Sequence, residues 1–144
     1  MKKSKISLLI FSLAGFLFSG YMSNIKIFSN TCAFGETCPL FLGIPACYYG
    51  FTIFTLILIF SIIFAFKKAS IGSITNSIFY TALVGVFFSG YFAMQEFPML
   101  LKNGFSTYKF GLPTCIMGFL FFVIIFIISI FLKKEIKNQK IILE

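Results

Sequence analysis

The chain has 144 residues, 59% of them hydrophobic and only 11% charged, with a mean hydropathy of +1.01. That is more apolar surface than the core of a soluble domain of this size absorbs, so the lipid bilayer is the expected partner. The formal net charge of +8 comes from lysines gathered at the ends of apolar runs, which leaves no continuous basic face and excludes nucleic-acid binding.

Lys2, Lys3 and Lys5 precede a first apolar segment, Ile6 to Met22. A lysine cluster followed by an apolar stretch also has the form of a cleaved signal peptide. A polar segment from Asn24 to Pro45 carries Cys32 and Cys38, and a second apolar segment runs from Cys47 to Phe66, closed by Lys67 and Lys68. The third, Ile78 to Met94, is followed by Gln95 to Gly111. The fourth, Leu112 to Leu132, is followed by Lys133, Lys134, Lys137 and Lys140. Each segment has about the length that crosses a hydrocarbon core as a helix, and none shows the alternation of a barrel strand. The expected fold is an all-α integral membrane bundle of four helices in a single domain.

Nine lysines lie at one end of these segments, against Lys26, Lys102 and Lys109 at the other. Positive loops stay cytoplasmic, so both termini and the middle loop are expected in the cytoplasm of a multi-pass cell-membrane protein, with the cysteines facing outward.

Two blocks recur. Gly15-Phe16-Leu17-Phe18-Ser19-Gly20-Tyr21 returns as Gly85-Val86-Phe87-Phe88-Ser89-Gly90-Tyr91. Gly43-Ile44-Pro45-Ala46-Cys47, followed by Gly50-Phe51, returns as Gly111-Leu112-Pro113-Thr114-Cys115, followed by Gly118-Phe119. The chain therefore reads as two parallel helical hairpins, residues 6–68 and 76–134, related by an axis along the membrane normal. If the first segment corresponds to a retained helix of the second half, it is itself retained, which speaks against a signal peptide. Pro45 and Pro113 suit the first turn of a descending helix, with Cys47 and Cys115 about one turn inside. Gly20 and Gly90 are read as sites of close helix packing.

All four cysteines, Cys32, Cys38, Cys47 and Cys115, fall at or just below the outward face, where disulfides form. This clustering favours a redox or structural disulfide role, with Cys32 and Cys38 closing a small loop and Cys47 and Cys115 at equivalent repeat positions. Four cysteines allow three full pairings, and the sequence does not choose among them. No metal is expected: the chain has no histidine, and Cys32 and Cys38 are not at a usual zinc-knuckle spacing. Glu96 is the acid near the outer end of the third segment and is read as an interfacial partner for Lys26. With so few ionisable groups in the apolar segments, a transporter is disfavoured.

The run from Cys32 to Cys38, followed by Phe41-Leu42-Gly43-Ile44-Pro45-Ala46 and Gly50, resembles the loop and second helix of bacterial vitamin K epoxide reductase homologues. The stretch Leu83 to Tyr91, with Glu96 beyond it, resembles the third helix of that family. The resemblance spans about residues 6 to 130. It implies a four-helix thiol oxidoreductase that passes electrons from thiols to a membrane quinone, ubiquinone or menaquinone, with a thioredoxin-like extracytoplasmic protein as donor. The catalytic Cys-x-x-Cys of that family stands here as Leu112-Pro113-Thr114-Cys115, so only the second cysteine carries over, and Cys47 is the candidate replacement for its partner. Cys32 and Cys38 then form the outer pair and Cys47 and Cys115 the membrane-edge pair, and a quinone pocket is expected from Tyr48, Phe88, Tyr91 and Phe119. The alternative is a noncatalytic membrane subunit in which the cysteines are structural staples.

Overall fold

The computed structural model describes residues 2–29, 40–66, 71–103 and 114–143. Four long helices dominate: α1 (Lys2–Ser29), α2 (Ala46–Phe66), α3 (Ile71–Asn103) and α4 (Thr114–Leu143). Each contains an apolar window long enough to cross a bilayer, namely Lys3–Phe28, Ala46–Phe66, Ile71–Gln95 and Thr114–Gln139. The bundle is membrane-spanning in its chemistry as well as its length. Its outer surface presents Leu17, Val84 and Phe87 at 60%, 59% and 71% exposure, a display that water does not tolerate over so large an area and lipid does.

Three of the helices outrun their apolar segments. α1 and α3 extend past both ends of the runs 6–22 and 78–94, and α4 continues from 132 to Leu143. Lysine and glutamine are good helix formers, so the backbone continues helically after the hydrophobic pattern stops. The chain ends thus project beyond the apolar span at the end bearing Lys3, Lys5, Lys133 and Lys134, which we term the lysine end. The opposite end carries Cys47 and Cys115 and is termed the cysteine end.

The helices pack as a ring in chain order, each against its sequence neighbour, with α1 closing against α4. Along α1 the buried stripe runs Leu8, Ser12, Gly15, Ser19 and Met22, with Ser23 also buried; along α3 it runs Ile78, Ala82, Gly85, Ser89 and Phe92, with Thr75 also buried. The spacing is the same in both, four, three, four and three residues, which marks one stripe of an α-helix. On α2 the buried positions Phe54, Ile57, Ser61 and Phe64 are matched on α4 by Phe122, Ile125, Ser129 and Leu132. The two hairpin repeats therefore share not only their sequence blocks but their buried faces.

At the middle of the bundle the repeats meet. The Phe54 and Phe122 rings stack face to face, with centroids 4.1 Å apart and planes 10° from parallel. Each ring also lies on a glycine of its own hairpin. A Cβ built on Gly15 would come within 2.2 Å of Phe54, and one on Gly85 within 2.4 Å of Phe122. Toward the cysteine end the arrangement repeats more loosely, with Phe51 over Gly20 and Phe119 over Gly90, each at 3.2 Å. At Gly20 and Gly90, where close helix packing is expected, a phenyl ring of the paired helix occupies the space over the glycine.

Apart from Ser23, the buried serines donate within their own helix. Ser19 and Ser89 donate to the carbonyls of Gly15 and Gly85, at 2.8 and 2.6 Å, and Ser61 donates to Ile57 at 2.7 Å. Satisfying a hydroxyl on the preceding turn lets a small polar residue sit at an apolar helix interface without desolvation cost.

A short β-hairpin precedes α2: β1 (Leu40–Phe41) pairs antiparallel with β2 (Ile44–Pro45), Leu40 opposite Pro45 and Phe41 opposite Ile44. Its two turn residues both have positive φ, 52° at Leu42 and 80° at Gly43, the pattern of a tight two-residue hairpin. Gly43 adopts this conformation without strain, whereas Leu42 holds it against its side chain. Pro45 thus ends a strand rather than occupying the first helical turn, and α2 begins at Ala46.

Candidate functional site

Cys47 is the second residue of α2 and Cys115 the second residue of α4, so both thiols lie in the first turn rather than one turn inside. Both are half-buried thiols. Their positions follow from the central stack. Cys47 precedes Phe54 by seven residues and Cys115 precedes Phe122 by seven, which in an α-helix is two turns, about 10.5 Å along the axis and about 20° around it. Both thiols therefore occupy the helix faces that meet at the Phe54–Phe122 stack, at one level, two turns nearer the cysteine end.

The surroundings of Cys47 include groups from α1. Ser23 Oγ donates to the Cys47 carbonyl at 3.4 Å, tying the start of α2 to the last turns of α1. The residue of α3 equivalent to Ser23 is Ala93, which has no hydroxyl to offer the start of α4. The two thiols consequently sit at equivalent backbone positions in chemically different settings.

An aromatic cluster joins the hairpin, α2 and α3 at the same end of the bundle. Phe41 on the hairpin meets Tyr49 edge-on at 5.5 Å, Phe88 at 5.6 Å and Phe92 at 6.2 Å. Tyr49 packs on Phe88 at 5.5 Å, Phe88 on Phe92 at 5.1 Å, and the Tyr49 hydroxyl donates to the Phe41 carbonyl at 3.4 Å. The edge-to-face geometries are those that aromatic quadrupoles favour. The cluster fastens the β-hairpin to α2 and α3 and forms an apolar wall at the cysteine end, on the side of α2 away from Cys47, since Tyr49 follows Cys47 by two residues, about 200° around the helix.

Of the residues expected to line a quinone pocket, Phe88 belongs to this cluster. Tyr91 is exposed on α3 and touches Phe92 edge-on, and Phe119 lies on Gly90 in the α3–α4 interface. Tyr48 is half-buried on α2, but its neighbour Tyr49 is the tyrosine that meets Phe88. Membrane depth, which the sequence supplies, does not distinguish adjacent helix positions that point about 100° apart. Tyr49 and Phe92 are hidden from sequence reading for that reason, and Phe41 because its two-residue strand has no period. Phe92 had one readable signal, as the next member of the buried series Ile78, Ala82, Gly85 and Ser89.

Cys32 and Cys38 lie outside the described residues, as do Pro113 and the side chain of Glu96. Among the described residues, no group of three or more His, Cys, Asp or Glu is placed to hold a metal ion. Compared with known proteins, the chain matches no family model, no curated protein and no solved structure.

Proposed function

We propose that this protein is a membrane thiol–disulfide oxidoreductase of the vitamin K epoxide reductase type, passing two electrons from a thioredoxin-like extracytoplasmic dithiol to ubiquinone or menaquinone. The observation that carries this reading is the placement of Cys47 and Cys115 at one level, on the faces of α2 and α4 that meet at the Phe54–Phe122 stack. A redox pair needs two sulfurs that approach one another, and the equivalent positions of Cys47 and Cys115 at the starts of α2 and α4 support such a pairing. At the same end of the bundle, the aromatic cluster of Phe41, Tyr49, Phe88 and Phe92 offers apolar surface for a quinone ring.

In this scheme the partner dithiol reduces the Cys32–Cys38 disulfide by thiol exchange and leaves oxidised. The resulting dithiol reduces a Cys47–Cys115 disulfide, and the inner dithiol gives two electrons and two protons to quinone, forming quinol and restoring the inner disulfide. The lysine end faces the cytoplasm, which puts the cysteine end on the oxidising side of the cell membrane.

Purified protein supplied with a reduced thioredoxin-like partner and a quinone analogue is expected to reduce the quinone. Cys115→Ser should abolish that turnover. Cys32→Ser should block oxidation of the protein partner while sparing reaction of small dithiols with the inner pair. Folded, disulfide-bonded wild-type protein that stays silent with both quinone classes and with small dithiols refutes the proposal and leaves a noncatalytic subunit with structural disulfides.

A further inference from the structure

The lysine end of the bundle holds a concave feature, remote from the cysteines. Here α1 and α4 are joined by Ser4 Oγ, which donates to Glu135 Oε2 at 3.3 Å. Beside this contact opens a cleft of about 480 Å³ between the two helices. Lys3 and Ser7, one turn apart on α1, form one wall; Lys134 and Asn138, one turn apart on α4, form the other. Deeper along α4 the lining changes to Phe131 and Ile128.

This gradient has a chemical meaning. At the mouth, two ammonium groups, a hydroxyl and an amide can all donate hydrogen bonds, and they face one carboxylate that accepts from Ser4. With the amino-terminal charge also acting on Glu135, the carboxylate is offset and the lysines leave the mouth net positive, suited to a phosphodiester anion. Below the mouth, Ile128 lies six residues from Lys134, about 9 Å deeper, and Phe131 is 65% exposed between them. Both helices are within the last turns of their apolar spans at this level, so the mouth stands at the membrane surface and the apolar wall in hydrocarbon. A free anion uses only the mouth, whereas a lipid uses both halves.

We propose that the α1–α4 cleft binds an anionic phospholipid, its phosphate between Lys3 and Lys134 and an acyl chain along Phe131 and Ile128. Basic recesses between membrane helices are suited to such headgroups because each lysine near the surface adds to the attraction.

The test is native mass spectrometry of the full-length protein released from detergent micelles, with dioleoylphosphatidylglycerol or dioleoylphosphatidylcholine added at equal concentration. Preferential retention of phosphatidylglycerol is expected, weakened about tenfold or more by combined Lys3→Gln and Lys134→Gln. Lys137→Gln, outside the cleft lining, should change it less than twofold, and Lys134→Arg should retain it. If the double variant is not recovered folded, Ser7→Leu, which fills the cleft without altering charge, should give a comparable loss. Normal binding by Ser7→Leu overturns the proposal. So does equal retention of the two lipids, or an equal loss in Lys137→Gln, which signifies diffuse surface charge. Displacement of phosphatidylglycerol by millimolar inorganic phosphate overturns it too, since that behaviour belongs to a site for simple anions.

Discussion

Gly15 and Gly85 each carry an aromatic ring that leaves no room for a methyl group. The rings cannot step aside freely, because Phe54 and Phe122 are 1% exposed and stacked on one another. Alanine at either position gains about 1 kcal/mol of helix propensity and loses about 1–3 kcal/mol to overpacking. Gly15→Ala and Gly85→Ala are therefore each expected to destabilise the folded bundle, by up to about 2 kcal/mol, measured by reversible unfolding in mixed detergent micelles. The two effects should fail to add, because both act through the one stacked pair. Gly50 and Gly118 provide the contrast: a Cβ there meets nothing within 4 Å. Gly50→Ala should be neutral or stabilising by up to about 1 kcal/mol in the same measurement.

The elements differ in how much of them the sequence disclosed. All four helices were readable, because an apolar run of about twenty residues has few other physical outcomes. Their lengths were not, since hydropathy registers the lipid boundary and not the end of helical hydrogen bonding; α3 continues through Phe97 and Pro98 to Asn103. The β-hairpin escaped notice because two-residue strands have no period to detect and its turn is Leu42-Gly43 rather than a sequence such as Asn-Gly. At the candidate site, the equivalence of Cys47 and Cys115 was legible from the repeat. The aromatic wall was not, because it depends on how α2 and α3 rotate toward each other. The hairpin turn itself is testable. Gly43→Val should cost at least about 1–2 kcal/mol through its φ of 80°, and should speed limited proteolysis between β1 and α2 as Phe41 leaves the aromatic cluster. Leu42→Asn should have the opposite sign, since asparagine tolerates the left-handed region that leucine resists.

At the scale of the whole molecule, charge and cysteine occupy opposite ends. Lys3, Lys5, Lys133 and Lys134 stand at one end, where Lys5 donates to the Phe64 carbonyl at 3.4 Å and lies over the Phe64 ring, and Lys133 lies over Phe79. These lysines help close the ends of the helices as well as setting the charge asymmetry, since a cation beside the last carbonyls of α2 opposes the negative end of its dipole. The proposed orientation predicts that an impermeant maleimide, added to intact cells after mild reduction, labels Cys32 or Cys38. Labelling that requires broken cells reverses the orientation. The proposed inner pair predicts that mild oxidation of protein with Cys32→Ser and Cys38→Ser yields an intramolecular Cys47–Cys115 bond, detected by peptide mapping. Its failure to form in folded protein places the helix starts beyond the alpha-carbon reach of about 4.4–6.8 Å.

The central Phe54–Phe122 stack has a consequence for severed chains. Each ring is seated on a glycine of its own hairpin, so α1 with α2, and α3 with α4, are units in which the knob and its socket travel together. The surface each unit offers the other is organised around the flat face of one phenyl ring, nearly its own counterpart. Fragments 1–68 and 69–144, produced as separate polypeptides in one cell, should therefore reassemble and co-purify without a covalent link. An isolated first fragment should also associate with a second copy of itself, since Phe54 can stack on Phe54 much as it does on Phe122.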